Sequence, residues 1–93
     1  MLVGLCELFI YLPNSHSLKD KRNVIKSFKA SLRRKYNISI AEIEHKDSWK
    51  NSTIGIGCIS DNRKLIQQVT DRIIKDADCH PEFQLVNFQT TII

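Results

Sequence analysis

Lys19, Arg22, Lys26, Lys29 and Arg33 recur at intervals of three and four residues. Wound into a helix at 100° per residue, they fall within a stripe about 80° wide and about 21 Å long. A row of fixed cations makes and breaks no bonds; its chemistry is charge neutralisation along a polyanion. The surrounding stretch, "HSLKDKRNVIKSFKASLRRK" (16–35), holds eight of the fourteen Lys and Arg residues and a single acid, Asp20. Lys and Arg are good helix formers, and a solvated face explains many such runs. Here acids at i±4 are nearly absent, so like charges repel by a few tenths of a kcal/mol per pair where ion pairs could have formed. A stripe kept against that cost points to an anionic partner. If all five cations met phosphates, the log–log dependence of binding on salt would have a slope of about −3.5 to −4.5.

A second group of reactive types lies in "EHKDSWKN" (44–51). Trp49, the single Trp, sits in a connection between predicted strands, where it either folds onto the core or offers a stacking surface. His45 and Lys50 flank it, and the three form a secondary contact candidate. His45 and Asp47 are two residues apart, so they share a strand face if the strand reaches them, and a His–carboxylate pair can move protons. With no nucleophile, metal or third partner in the pattern, no catalytic residue is assigned. His16, His45 and His80 show no ligand spacing, so no metal and no cofactor are expected. Cys6, Cys58 and Cys79 include no C-x-x-C, and Cys6 and Cys58 lie in apolar runs as small hydrophobes. Three free thiols fit a reducing, cytoplasmic setting.

The elements that must hold these residues follow from periodicity. Residues 2–12 are apolar on both alternating faces, as in a central strand, and Pro13, Asn14 and Ser15 end it. Ser17 with Asp20 has the spacing of a capping box, which starts a helix. Ile25, Phe28, Leu32 and Tyr36, with Leu18 and Val24, give it an apolar side. Lys21 falls among those apolar positions and is expected to snorkel outward from the first turn. Residues 38–45 and 52–60 read as two strands joined by a hairpin connection. Asp61 or Asn62 caps a second helix with Leu65, Ile66, Val69, Ile73 and Ala77 on its apolar stripe, and residues 83–93 form a last strand.

The order β-α-β-β-α-β in 93 residues predicts one α+β domain of ferredoxin-like type, spanning residues 1–93. Right-handed crossovers give an antiparallel sheet of order 4-1-3-2 with both helices on one face. The other face is left open. It would show Val3, Leu5, Glu7, Phe9 and Tyr11 from the first strand, and Thr53, Gly55, Gly57 and Ile59 from the third. RNA-recognition motifs stack bases on aromatics of the two central strands, but here the third strand carries glycines instead. Val3, Leu5, Phe9 and Tyr11 read better as a homodimer interface. Acylphosphatase shares the topology and cradles phosphate with an Arg in its first loop; "LPNSHS" has none, which disfavours that activity.

The charge is local: segment 16–35 carries +7 and the remainder −3, for a net +4. An apolar fraction of 42% and a charged fraction of 26% belong to a globular chain rather than a disordered one. No apolar run approaches the roughly 20 residues needed to cross a bilayer. "MLVGLCELFIYLP" lacks a basic start and a cleavage site, so it reads as a strand and not a leader.

"MLVGLCELFIYLPNSHSLKDKR", "SIAEIEHKDSWKNSTIGI" and "SDNRKLIQQVTDRI" together resemble the YlxP-like proteins, a family of small bacterial proteins of uncharacterised function. The most specific parts are "HSLKDKR" (16–22) and "AEIEHKDSWK" (41–50). Glu44 stands where the family pattern usually has Gly. The resemblance implies the same ferredoxin-like fold and brings no catalytic residues. Family genes often lie among those for translation initiation and ribosome maturation, which directs the polyanion expectation toward ribosomal RNA or a ribosomal subunit. The alternatives are a homodimeric module docking an acidic protein, or a small-ligand domain built on His45 and Asp47.

Overall fold

The computed structural model describes residues 1–93. Its elements are β1 (Leu2–Tyr11), α1 (Leu18–Lys35), β2 (Ser39–Glu44), β3 (Asn51–Ser60), α2 (Arg63–Asp78) and β4 (Gln84–Ile92). The sheet is antiparallel, with order β2-β3-β1-β4, which is the expected 4-1-3-2 arrangement read from the other end. No helix is long and apolar enough to cross a membrane.

β1 is central because both of its faces are apolar enough to be flanked. Its inward residues Cys6, Leu8 and Ile10, with Leu12 just beyond it, join Ile54 and Ile56 of β3 in one core. Ile25, Phe28 and Leu32 of α1 and Ile73 and Ala77 of α2 close over them, so both helices cover one sheet face. Gly4 lets α2 come close: a Cβ there would overlap Ile66 Cγ2. Leu65 departs from the expected stripe and is exposed, because the buried arc of α2 runs through Ile66, Ile73 and Ala77.

Capping explains where the helices start. Ser17 Oγ accepts from Asp20 N–H at 3.0 Å. The short Asp20 side chain accepts in return from His16 N–H at 3.0 Å, one residue earlier than a Glu would reach. At α2, Asn62 is the cap, and its side-chain oxygen accepts from Leu65 N–H at 3.2 Å. Both edge strands are interrupted. β2 carries an extra residue between Glu42 and Glu44, and β4 one at the step facing Phe9 and Ile10. Cys6 and Cys58 are buried free thiols and Cys79 is exposed.

Candidate nucleic-acid interface

The structure carries two ion pairs, Lys21–Glu42 at 3.0 Å and Lys35–Asp76 at 3.5 Å. Neither uses a cation of the predicted stripe. Lys19, Arg22, Lys26 and Arg33 are exposed along α1 and Lys29 is half-buried. Arg33 is partly committed: its Nη2 donates to the Ile40 carbonyl at 3.1 Å, which lays the C-terminal end of the stripe beside β2. Four cations without an ion-pair partner, and one that keeps further donors free, therefore stand on one helix.

Lys21 corrects the sequence reading. It does not snorkel; its side chain is 0% exposed. The ammonium is surrounded by Glu42 Oε2 at 3.0 Å and by the carbonyls of His45 (2.7 Å), Lys46 (3.3 Å) and Asn51 (3.2 Å). Four acceptors thus share three N–H donors. Ser52 donates its hydroxyl to the same Glu42 oxygen at 2.6 Å. A buried cation survives only if paired and fully hydrogen-bonded, and these acceptors meet that condition. The consequence is mechanical: the first turn of α1 is bound to both ends of the β2–β3 connection.

That connection carries the second candidate group. Lys50 is not a free contact, because its Nζ donates to the Pro13 carbonyl at 2.9 Å and stitches the connection to the β1–α1 loop. β2 ends at Glu44, so His45 and Asp47 do not share a strand face. His45 itself turns the chain, with φ of 64°. This left-handed conformation is uncommon outside glycine, and His tolerates it better than most. The positive φ therefore falls on the residue after Glu44, and Glu44 needs no glycine-like freedom. His45, Lys46 and Asp47 are exposed, and Trp49 is 55% exposed. Lys21 and Lys50 thus tie the connection that carries Trp49 to the first turn of α1 and to the β1–α1 loop.

The open sheet face carries the expected residues of β1 and β3, except that Thr53 is buried rather than shown. Val3, Leu5, Glu7, Phe9 and Tyr11 pair with Ile59, Gly57, Gly55, Thr53 and Asn51. Leu5 is exposed, while Val3, Phe9 and Tyr11 are half-buried. The two glycines floor a groove of about 350 Å³, lined also by Leu5, Glu7, Ala41 and Ile43. No aromatic side chain lines it. A Cβ at Gly55 would meet Ile43 Cγ2 at 3.1 Å, so a larger residue there would push the Ile43 side chain aside.

A model of the family described as "Protein of unknown function (DUF503)" matches residues 3–90. A protein of Bacillus subtilis (strain 168) named "Uncharacterized protein YlxP" is 34% identical over 79 residues, covering 85% of this chain and 84% of that protein. Among solved structures, "De novo designed protein Foldit4" superposes with a TM-score of 0.57, covering all of this chain and 97% of the other at 12% identity. At that identity the likeness concerns the fold alone.

Proposed function

Since the chain belongs to the DUF503 family, in which no activity is specified, we propose from its own geometry that it is an RNA-binding module whose α1 stripe contacts the phosphates of structured ribosomal RNA. The observation that carries this reading is the run of cations without ion-pair partners, Lys19, Arg22, Lys26 and Lys29, with Arg33 at its end. An exposed Trp on the connection tied to the first turn of α1 adds a surface on which an unpaired base can stack, worth about 1–3 kcal/mol per base. Phosphate contacts position a protein without reading sequence. The module therefore recognises shape, with modest sequence preference.

Binding to ribosomal RNA fragments and to 30S and 50S subunits, measured across a salt series, tests the reading. Saturable binding with a log–log slope near about −4 is expected. Lys26→Glu/Lys29→Glu should flatten that slope, and quenching of Trp49 emission on binding would report the stacking contact. Absence of binding at low salt, or binding indifferent to the charge reversal, refutes RNA contact through this surface. Displacement of RNA by an acidic polypeptide at lower concentration would instead identify an acidic protein as the partner.

A further inference from the structure

We propose that two copies of this protein associate by pairing β4 antiparallel with β4, joining their sheets into one of eight strands. The free edges of the sheet are β2 and β4, and the chain treats them differently. β2 is six residues long, carries Glu42 and Glu44, and has Arg33 on the Ile40 carbonyl. These are the devices that normally keep strand edges from pairing. β4 is nine residues, "QLVNFQTTI", with no charge and no proline, and its own extra residue, Val86, lies before the Phe88–Ile92 stretch. The side-chain bond to its outer backbone is local: Phe88 N–H donates to Oδ1 of the preceding Asn87 at 2.8 Å, a contact that an incoming strand displaces.

The backbone groups available for pairing can be named. Val3 and Ile93 exchange N–H···O bonds of 2.8 and 2.9 Å. In an antiparallel ladder, bonded pairs alternate with non-bonded ones. With Leu5 opposite Thr91, Glu7 opposite Gln89 and Phe9 opposite Asn87, those β4 residues direct their backbone at β1. Phe88, Thr90 and Ile92 therefore direct theirs at the free edge. Val86 and Phe88 beside it are 67% and 47% exposed.

Charge selects a second copy as the occupant. A chain of net +4 repels its own copy over most approaches, but a neutral strand paired with itself opposes no like charges. The groove between α2 and β4 is lined by Arg63, Gln67, Asp71 and Thr90. A two-fold axis near Gln67 and Thr90 reverses α2 in the copy and turns Arg63 of each toward Asp71 of the other. The pairing is isologous, so it closes at two.

Sedimentation of the protein without RNA tests this independently of the RNA reading. The wild type is expected at twice its 10.8 kDa. Thr90→Lys, which sets a cation beside its own copy at the axis, should be monomeric with an unchanged circular dichroism spectrum. Thr90→Pro, which deletes an outward N–H but no bond to β1, should behave likewise. Leu5→Lys, on the open sheet face, should leave the dimer intact. Hydrogen exchange gives a second readout: Thr90 and Ile92 amides slow in the wild type and fast in Thr90→Lys, Gln89 and Thr91 slow in both. A wild type monomeric at about 100 µM, where mass action favours any specific dimer, overturns the proposal. So does a dimer that survives Thr90→Lys, or one that Leu5→Lys dissociates.

Discussion

Replacing Lys21 by Met keeps the apolar stem and removes the ammonium. Glu42, whose side chain is 16% exposed, then retains the Ser52 hydroxyl, and the carbonyls of His45, Lys46 and Asn51 lose their shared donor. Breaking a buried ion pair by removing one partner costs about 3–5 kcal/mol. The surviving Ser52 bond, and the access of water to the exposed 45–47 segment, place the expected loss at the low end, about 3 kcal/mol. A domain of this size holds about 5–14 kcal/mol in total, at roughly 0.05–0.15 kcal/mol per residue. The melting temperature should then fall by about 12–24 °C, taking about 4–8 °C per kcal/mol for this chain length. Circular dichroism follows the global transition, and Trp49 emission follows the hairpin that Lys21 holds. The double variant Lys21→Met/Glu42→Leu should recover part of the loss, because an apolar pair needs no counter-charge. A fall of less than about 4 °C in the single variant, equivalent to about 1 kcal/mol, would refute the reasoning. A double variant less stable than the single one would do the same.

Two glycines should respond to alanine with opposite signs. Gly4→Ala forces a methyl into Ile66 and should destabilise by about 1–3 kcal/mol, whereas Gly57→Ala meets nothing within 4 Å and should stabilise by about 0.4–1 kcal/mol; urea midpoints with unchanged slopes would verify both. His80 should make stability sensitive to acid. Its ring stacks on Phe83 at 4.2 Å, and its Nδ1 accepts from Glu82 N–H at 3.1 Å, a bond only the neutral ring can make. Burial holds its pKa below the ordinary 6.5, with Glu82 opposing in part. The unfolded chain therefore binds the proton more readily: this contribution is whole above 6.5 and is lost as pH falls below it. His80→Asn should shrink the stability difference between about pH 7.5 and about pH 5, and an undiminished difference would count against the assignment.

The fold was legible because each element obeys one period. β1 declares itself central through two apolar faces, and α1 and α2 begin at recognisable caps. The stripe was legible too, since exposed side chains at i, i+3 and i+4 need no tertiary information. The Lys21–Glu42 pair was not recognised, although it leaves a trace. Lys21 sits in the middle of the apolar arc of α1, and Glu42 shares the inward alternation of β2 with Ile40. Two opposite charges, each violating an apolar face on elements that must pack together, are a signal that reading each element alone discards. Arg33 on the Ile40 carbonyl and Lys50 on the Pro13 carbonyl left no such trace. Every residue offers a backbone carbonyl, so residue types cannot single out those acceptors. The left-handed turn at His45 is hidden for a similar reason, since the extra residue in β2 depends on how the strand meets β3.

The Arg33 bond to Ile40 has a consequence best put in the language of polymerisation. A unit with two reactive ends adds to itself without limit, while a unit with one reactive end stops after a single addition. A β-sheet protein with both edges bare is of the first kind, and its natural product is a fibre. One guanidinium on one carbonyl, backed by two glutamates on a short strand, converts this chain to the second kind. The residue that ends the α1 stripe thus also lowers the valence of the sheet from two to one.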